Sequence, residues 1–257
     1  EAMRPDLVSI CSPDDCHYQQ ITELLEHKLC PKVIFVEKPV CQTEAELSEI
    51  IKRLKSKNVV KPFVNHSRRF DETHLKIAKM IKSGEFGALN FCHVNYYGGW
   101  KHNGIHVMDY LDACFDEDII FNNVSLACHS NYDDDPTLDL EGRLSGADIV
   151  FKGHDEKFYQ VTEIDLFFSE GRVVISNFGM KIDVFKKVIN AENEAILQST
   201  YSTSKSMTNQ MVNAYNQIAT YLDSSELKNL NTVSIDTVSN VMRNVWKVKE
   251  FYDKQKN

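Results

Sequence analysis

A lysine able to act on a substrate stands directly after an apolar run. Residues 33–36 are β-branched or aromatic and lie between Pro31 and Pro39, which is typical of a buried strand with a turn at each end. Ligands of open α/β sheets lie just beyond the carboxyl ends of such strands, where Glu37 and Lys38 are placed. Lys38 is therefore able to give a proton or a hydrogen bond to a substrate oxygen. The alternative, a solvated Glu–Lys pair that only ends the strand, is equally compatible with these residues.

Two histidines follow a loop that contains adjacent glycines. His102 and His106 come after the Tyr-Gly-Gly-Trp sequence of residues 97–100, whose glycines leave room for a ligand near the backbone. Because the histidines are four residues apart, a helix would place both imidazoles on one face. Such a pair can bind zinc, but no HExxH glutamate and no third ligand accompanies it, so acid–base chemistry is favoured over a metal site. A hydrogen-bonded core histidine is the remaining alternative.

Paired arginines form a third chemically informative stretch, at residues 65–71. Arg68 and Arg69 follow a predicted strand and can hold a phosphate or carboxylate group through two parallel hydrogen bonds. They serve equally well as charges at the start of a helix, balanced by Asp71 and Glu72. No GxSxG sequence and no recognisable Cys–His arrangement is present, so the sequence gives no support to nucleophilic hydrolysis.

Three strands and two helices are predicted to alternate over the first 65 residues, and they position Lys38 and the paired arginines. Apolar runs predict three strands, at residues 6–11, 33–36 and 59–64, and a helix follows each of the first two. Asp14 or Asp15 is the predicted cap of the first helix, and Thr43 with Glu46 forms a capping box for the second. This alternation is typical of a parallel α/β sheet. It begins almost at residue 1 and no glycine-rich phosphate loop is present, so we expect the sequence to begin within a domain.

From residue 89 the pattern changes to strands separated by Gly, Asp and Asn clusters. The predicted strands are residues 89–97, 119–128, 138–144, 149–152, 159–169 and 172–178. They form a large, mainly antiparallel sheet, with a short helix at 104–113 between the first two strands. Further helices are predicted at 71–83, 207–223 and 234–254. The acidic residues 131–136 lack EF-hand spacing, so a solvated turn is favoured over a calcium site.

Composition excludes several classes of function. The 257 residues are 42% hydrophobic and 26% charged, as in an ordinary globular protein. The formal net charge of −8 argues against binding to nucleic acid, which needs a concentrated basic face. No apolar run reaches the roughly 18 residues of a membrane span. The seven cysteines include no CxxC pair, so we expect reduced core residues of a cytoplasmic protein rather than a disulfide frame or zinc site.

The three stretches, in this order, resemble the Gfo/Idh/MocA family of NAD(P)-dependent oxidoreductases, which act on sugars, cyclitols and related polyols. The matching patterns are a (T/S)P turn at Ser12 and Pro13, EKP at 37–39, a stretch like NxRRFD at 65–71 with one more residue after Asn65, GxHxxD at 104–109, and an EIDLF…GR strand pair at 163–177. The resemblance implies an α/β fold in which residues 1–88 form the carboxyl-terminal half of a doubly wound, Rossmann-like dinucleotide-binding domain. Residues 89–257 then form an α/β substrate-binding and oligomerisation domain with the large sheet, and the last helices either stay with it or pack back on the first domain.

The resemblance also implies roles for individual residues. Lys38 contacts cofactor and substrate, His106 is the acid–base residue on the reacting hydroxyl, and His102, where the family commonly has an acid, is a third catalytic candidate. The candidates for binding the cofactor, NAD or NADP, are Ser12, Pro13, His17, Glu37 and Lys38. The candidates for binding the substrate are Arg69, Tyr97, Trp100 and Asn103. No metal is implied, and His102 and His106 are expected to titrate as a coupled pair whose positive charges repel.

The implied activity is that of a dehydrogenase acting on CH–OH groups, with hydride transfer between the nicotinamide cofactor and a sugar- or cyclitol-like hydroxyl. The expected partners are this small molecule and further copies of the chain, joined through the large sheet. The family's GxGxxG loop has no counterpart in the sequence, which favours neither NAD nor NADP. Two alternatives stay open: a non-redox relative in which bound NAD assists elimination or epimerisation, and a catalytically silent binding or assembly subunit without the nucleotide loop.

Overall fold

Two structural units divide the chain. A computed structural model describes residues 5–27, 30–57 and 60–255, apart from the side chains of residues 228 and 229. The first unit consists of Glu1–Phe70 and Gln210–Arg243, and the second of Asp71–Asn209 and Asn244–Asn257. The predicted domains, 1–88 and 89–257, remain a prediction; the two units differ from them because residues 71–88 fall in the second unit and residues 210–243 in the first.

The first unit is built on a three-stranded parallel sheet. Its strands, in order across the sheet, are β1 (Leu7–Ile10), β2 (Val33–Glu37) and β3 (Lys61–Asn65). Helix α1 (His17–Glu26) follows β1, and helix α2 (Glu44–Ser56) follows β2. The predicted alternation of strands and helices is confirmed; Val59, the predicted first residue of the third strand, lies outside the described residues.

The two helices of this unit begin in different ways. At α2 the Glu46 N–H donates to the Thr43 hydroxyl and the Thr43 N–H donates to the Glu46 carboxylate, so the predicted capping box is confirmed. The cap predicted from Asp14 or Asp15 is wrong, because both residues lie inside a 3-10 turn that precedes α1. The N-cap of α1 is instead Cys16, which makes no side-chain cap hydrogen bond.

Residues from distant parts of the sequence form the core of the first unit. Its buried members are Val33, Phe35, Phe63, Phe70, Ala214, Ile218, Leu230 and Val233. The last four belong to α5 (Gln210–Ser224) and to the 3-10 helix Lys228–Val233. Burying an aliphatic or aromatic side chain stabilises the folded state by about 1.5–3 kcal/mol. Residues 210–233, the late segment of the first unit, are therefore an integral part of it.

The second unit is built on an eight-stranded sheet. Its strands are β4 (Leu89–Tyr97), β5 (Ile120–Cys128), β6 (Thr137–Leu144), β7 (Ala147–His154), β8 (Glu163–Phe168), β9 (Gly171–Ser176), β10 (Lys181–Ile189) and β11 (Ala195–Thr203). Their order is β11-β10-β9-β8-β4-β7-β6-β5, with β4 and β7 parallel and the other described neighbours antiparallel. The helices are α3 (Glu72–Lys82) and α4 (Ile105–Phe115), and α6 (Ile235–Gln255) ends the described chain. The predicted fold class, a partial parallel Rossmann-like sheet followed by a large, mainly antiparallel sheet, is confirmed.

The sequence does not predict β10 and β11, the last two strands at one end of the large sheet. Residues 195–202 of β11 are all exposed, so this strand lacks the alternation of buried apolar and exposed polar side chains that marks a half-buried strand. The predicted strand 172–178 is too long, because Asn177 and Phe178 adopt φ values of 50° and 60° and form a 3-10 turn after β9.

The composition predicts reduced cysteines in the core and no membrane span. All seven cysteines lie in the described part of the chain and none forms a disulfide bond. Cys30, Cys41, Cys92 and Cys114 are buried as expected, and burial raises the pKa of the Cys41 thiol to about 12. The expectation of a core position is wrong for Cys11, which is exposed. Among the described helices, none is both long and apolar enough to cross a membrane.

Candidate functional site

The carboxyl ends of the three parallel strands lie at one edge of the first unit's sheet. Ser12 follows β1, Lys38 follows β2, and Asn65 ends β3. The Asn65 amide nitrogen donates to Glu37 Oε1 at 2.7 Å and so joins the ends of β2 and β3. Asn65 Oδ1 is buried and has no hydrogen-bond partner among the described residues. A buried acceptor of this kind is costly unless a ligand or a water molecule supplies a donor.

His17 joins the two loops that carry the predicted cofactor residues. Its ring is buried, with Nδ1 2.7 Å from the Pro39 carbonyl oxygen and Nε2 3.0 Å from the Ser12 carbonyl oxygen. A neutral imidazole has a single N–H, so both contacts are hydrogen bonds only when the ring carries two protons. His17 therefore holds the loops after β1 and β2 together from inside, and direct contact between its ring and a cofactor remains a prediction.

The other predicted residues of this edge reach the surface. Ser12, Glu37 and Lys38 are half-buried and Pro13 is exposed. Lys38 precedes a cis peptide bond to Pro39. Each of these positions is compatible with contact to a bound ligand, and their roles in cofactor binding and catalysis remain predictions.

The paired arginines are buried rather than displayed at the surface. Arg68 and Arg69 lie in a 3-10 turn after β3, and Arg69 Nη1 donates to the Thr232 carbonyl oxygen at 3.0 Å. This hydrogen bond fastens the late segment of the first unit to the end of β3. It gives the Arg69 guanidinium a structural partner, and a role in substrate binding remains a prediction.

In the second unit, the glycine loop after β4 is a tight turn that leads into α4. Gly98 and Gly99 have φ values of 57° and 83°, and residues Trp100–Gly104 form a π-helical turn. Helix α4 follows at once, so the predicted helix is confirmed with its start at Ile105. The turn presents His102 and Asn103 before the helix and His106 within its first turn.

Trp100 is a structural residue, which corrects its prediction as a substrate ligand. Its side chain is fully buried, and Nε1 donates to the Val245 carbonyl oxygen at 2.9 Å. The ring meets those of Tyr96 and Phe151 edge to face, at centroid distances of 5.8 and 5.7 Å. The indole therefore anchors the turn in the core and has no exposed surface to offer a ligand.

The residue that organises this turn is Asp135, which the sequence does not identify. Its carboxylate accepts from the Lys101 N–H at 2.7 Å, from the His102 N–H at 3.0 Å and from His102 Nδ1 at 2.7 Å. The expectation of a solvated turn at residues 131–136 is wrong at this position, because Asp135 is 1% exposed. The only sequence signal is an Asp-Pro pair directly before a strand, which does not indicate a partner 33 residues earlier.

The two glycines allow two carboxylates to approach the backbone of the turn closely, and the room for a ligand that the sequence suggested remains a prediction. A Cβ atom on Gly99 would lie 2.3 Å from Asp135 Oδ2, and one on Gly98 would lie 2.3 Å from Glu156 Oε2. Both glycines also have positive φ, which other residues rarely adopt. The Gly-Gly pair therefore lets two acidic side chains close over the backbone of the turn.

The His102 ring is held on one face and at one edge. It stacks on Tyr132 with a centroid distance of 3.7 Å and an interplanar angle of 4°. Its Nδ1 atom lies 2.7 Å from Asp135 Oδ2, and because a carboxylate is an acceptor only, this contact is a hydrogen bond when Nδ1 carries the N–H. The predicted repulsion between His102 and His106 is thus offset by a carboxylate, because a protonated His102 lies directly beside Asp135.

The remaining candidates of this turn are held to different degrees. Burial raises the pKa of the Tyr97 hydroxyl above its usual range, so the group is a neutral hydrogen-bond donor at physiological pH. The Asn103 amide nitrogen donates to the Gly98 carbonyl oxygen and supports the turn. His106 is half-buried. Substrate contacts by Tyr97 and Asn103, and proton transfer by His106, remain predictions.

The candidates divide between the two units. Ser12, Pro13, His17, Glu37, Lys38 and Arg69 belong to the first unit, and Tyr97, Trp100, His102, Asn103 and His106 to the second. Throughout residues 5–27, 30–57 and 60–255, no group of three or more His, Cys, Asp or Glu side chains is placed to hold a metal ion.

Residues 1–66 match the model of the GFO_IDH_MocA family, which is described as an oxidoreductase family with an NAD-binding Rossmann fold. The resemblance to the Gfo/Idh/MocA family is confirmed. The matched segment contains all three strands of the parallel sheet and the loops that carry Ser12 and Lys38. The first unit therefore includes a segment of a Gfo/Idh/MocA-type Rossmann fold.

Parts of the chain are similar to curated members of oxidoreductase families. YhhX of Escherichia coli, named an uncharacterized oxidoreductase, is 31% identical over 146 residues, which cover 50% of this chain and 41% of that protein. IolW of Bacillus subtilis, a scyllo-inositol 2-dehydrogenase (NADP(+)), is 32% identical over 91 residues, which cover 35% of this chain and 24% of that protein. The chain thus spans less than half the length of these relatives.

Solved structures show the same fold over nearly the whole chain. An inositol dehydrogenase homolog from Azotobacter vinelandii, complexed with NADH and myo-inositol, has a TM-score of 0.74 at 12% identity and covers 97% of this chain and 76% of that one. A super-repressor mutant of Gal80p from Saccharomyces cerevisiae also has a TM-score of 0.74, at 14% identity, and covers 95% of this chain and 78% of that one. At these identities the likeness shows the fold alone.

Proposed function

We propose that the protein acts in an NAD(P)-dependent oxidoreductase that transfers a hydride between the nicotinamide ring and a sugar- or cyclitol-like hydroxyl. The observation that carries this proposal is the match of residues 1–66 to the family's NAD-binding Rossmann fold, with Lys38 at the carboxyl end of the central strand β2. The similarity to IolW, an inositol dehydrogenase by name, supports the substrate class.

The residues at the carboxyl edge of the parallel sheet fit a dinucleotide in part. Ser12, Glu37 and Lys38 are accessible there, and the buried Asn65 Oδ1 is an acceptor for a donor that the described residues do not supply. The pyrophosphate of a dinucleotide normally rests on a glycine-rich helix start, which the printed sequence does not contain.

Each proposed catalytic group has one task. When bound, the nicotinamide accepts or supplies the hydride. The Lys38 ammonium donates a hydrogen bond to the reacting oxygen, which polarises the carbon–oxygen bond. His106 takes the hydroxyl proton as the alcohol becomes a carbonyl compound and returns it in the reverse direction. The neutral Tyr97 hydroxyl donates a further hydrogen bond to the substrate.

Oxidation of a panel of inositols and hexoses, followed by the nicotinamide absorbance with NAD+ and with NADP+, tests this proposal. Net reduction of the cofactor with at least one polyol is expected. Conversion of a substrate without net reduction would instead identify a non-redox relative that uses bound NAD for elimination or epimerisation. No conversion of any substrate would contradict the proposal.

A non-catalytic role is a second candidate, favoured by one specific observation. The Gal80p structure that shares this fold is described as that of a repressor mutant. A binding subunit of this kind would keep the buried turn around Asp135, which stabilises the fold, but would not need Lys38. Affinity for a polyol without any turnover would favour this candidate.

We also propose that a second copy of the chain covers one face of the large sheet. Along β8 and β9 the side chains on one face are buried, whereas those on the other, including Phe167, Arg172 and Val174, are half-buried. On that face the ring centroids of Phe91 and Phe167 are 6.2 Å apart, and the Arg172 guanidinium lies 4.7 Å from the centre of the Phe167 ring. Light scattering at tens of micromolar should show a dimer or larger oligomer; a monomer would contradict this assignment.

A further inference from the structure

One end of the eight-stranded sheet carries an inference beyond the roles assigned so far. The outermost strand there is β11, which pairs with β10 on one side and with none of the described strands on the other. We propose that this outer edge of β11 binds the outer edge of β11 in a second copy of the chain, antiparallel and about a twofold axis at Leu197. The proposal rests on the geometry of the second unit and does not depend on the proposed enzymatic function.

The strand β11 lacks the features that usually keep a free edge from pairing. Natural edge strands are very short, carry lysine or proline, or are twisted away by bulges. β11 is nine residues long, and its sequence, AILQSTYST, contains no charged residue and no proline. Its pairing with β10 has one irregularity, at Thr200, which leaves residues 195–199 as regular strand. Every residue from 195 to 202 is exposed.

The opposite end of the sheet is different. Its outermost strand is β5, whose register with β6 shifts twice, so that the pairing passes over Asn122 and Ala127. Such bulges disrupt the ladder and bend the strand. Three consecutive acidic residues, 116–118, also precede this region of the chain. The sheet therefore has one edge that resists pairing and one that permits it.

The hairpin between β10 and β11 shows which backbone groups face outward. The Asn190 N–H donates to the Glu194 carbonyl oxygen at 2.9 Å, so these two residues form a hydrogen-bonded pair. Hydrogen-bonded and non-hydrogen-bonded pairs alternate along an antiparallel ladder. The residues whose N–H and C=O groups point away from β10 are therefore Ala195, Leu197 and Ser199.

This outward row is complementary to itself. A twofold axis at Leu197 places Leu197 opposite Leu197 of the second copy, and Ala195 opposite Ser199. The three resulting pairs exchange about six hydrogen bonds, two in each pair. The Leu197 side chain is 46% exposed in a single copy, and the axis brings two such side chains into contact. A contact in which both copies use the same patch is the usual form of a symmetric dimer.

Charges at the two ends of β11 favour the antiparallel arrangement. Glu192 and Glu194 precede the strand, and Lys205 follows it. In an antiparallel pair the acidic end of each strand lies toward the basic end of the other. A parallel pair would bring the acidic ends together, and like charges side by side are unfavourable.

Amide hydrogen exchange of the unaltered protein, read at single residues by mass spectrometry, tests the edge directly. The N–H groups of Leu197 and Ser199 should be protected at tens of micromolar protein and exchange fast below about one micromolar. Those of Ile196 and Gln198 point toward β10, so they should be protected at both concentrations. Fast exchange of Leu197 and Ser199 at the higher concentration would overturn the proposal, whether or not any variant folds.

The same measurement separates this contact from the covering of the sheet's face proposed above. A copy that lies on the face makes no hydrogen bond to the outward N–H groups of β11. Protection of Leu197 and Ser199 therefore reports on the edge alone, and their fast exchange in a stable oligomer would leave the face as the interface.

Leu197→Lys should separate the two copies, because it places two ammonium groups opposite each other at the twofold axis. Ile189→Lys is the matched control: Ile189 belongs to the same hairpin and is 61% exposed, but it lies on β10, behind the outer edge. In light scattering at tens of micromolar, Leu197→Lys should have half the mass of the unaltered protein, and Ile189→Lys the full mass. Equal masses for Leu197→Lys and the unaltered protein, or an equal loss in both variants, would overturn the proposal.

Discussion

Two turns that follow buried strands, one in each unit, are held by different means. After β2, the turn at Lys38 is held by His17 and Asn65, whose contacts come from segments next to neighbouring strands of the same sheet. After β4, the turn at His102 is held by Asp135, which lies 33 residues further along the chain. The parallel pairing of β1, β2 and β3 is enough to bring His17 and Asn65 close to the turn at Lys38. The turn at His102 instead depends on the loop of Asp135, which is distant from it in sequence.

The two turns also differ in how tightly the backbone is enclosed. The loops after β1 and β2 are joined by one buried imidazole, whereas the turn after β4 has carboxylates within 2.3 Å of the positions that Cβ atoms of Gly98 and Gly99 would occupy. We therefore expect an added methyl group to destabilise the turn after β4 more than the turn after β2.

The strongest test of this comparison is to crowd the second turn with Gly99→Ala. The added methyl group would lie 2.3 Å from Asp135 Oδ2 on a backbone with a φ of +83°. We expect the free energy of unfolding to fall by about 3–5 kcal/mol, from backbone strain and from displacement of the buried carboxylate. Both tryptophans, Trp100 and Trp246, belong to the second unit, so urea unfolding followed by their fluorescence reports on it.

Gly146→Ala is the matched control for this experiment. Gly146 has a φ of +80°, but no atom lies within 4 Å of an added Cβ. Only the cost of a left-handed backbone, about 1–2 kcal/mol, is therefore expected. Equal losses in the two variants would show that the closeness of Asp135 adds nothing to the strain of positive φ.

The chemistry of the first turn is tested by Lys38→Met. If Lys38 polarises the reacting oxygen, turnover should fall by at least about 10²-fold while the stability of the protein changes little. Lys32→Met is the control at the other end of β2, because Lys32 pairs with Asp6 at 2.8 Å on the surface and such pairs contribute about 0–1 kcal/mol. Small and equal effects on turnover would mean that Lys38 is a solvated strand end.

The smallest expected effect comes from His17→Leu, which removes the link between the loops after β1 and β2. The loss of two contacts to carbonyl oxygens should lower the local stability by about 1–3 kcal/mol. Amide hydrogen exchange in β1 and β2 measures this loss within the first unit. His27→Leu, at an exposed histidine of the same unit, should have an effect below about 0.5 kcal/mol. Similar exchange rates in both variants would show that His17 does not hold the loops.

Local patterns in the sequence were sufficient for most of the fold. The three parallel strands follow from short apolar runs, and the start of α2 follows from Thr43 and Glu46, because each of these signals involves residues close in sequence. The edge strand β11 could not be predicted in this way, since it buries almost nothing and is defined by its pairing with β10. The cap expected from Asp14 or Asp15 failed because a 3-10 turn intervenes before α1.

The candidate site was less predictable than the fold. The motifs identify Lys38, His102 and His106 by residue type and spacing, but they do not show which side chains are buried. Trp100 is an aromatic residue beside a loop, and only the packing of its ring reveals that it faces the core. Asp135 belongs to an acidic cluster that suggests exposure, and it is buried because its donors come from a distant turn.

Because the core of the first unit combines early and late parts of the sequence, it cannot be completed until synthesis is nearly finished. The apolar side chains of Val33, Phe35 and Phe63 are completed by Ala214, Ile218, Leu230 and Val233. At ribosomal rates of about 5–20 residues per second, these partners appear on the order of ten seconds after β3. During that interval the nascent parallel sheet lacks the side chains that cover these residues in the folded protein.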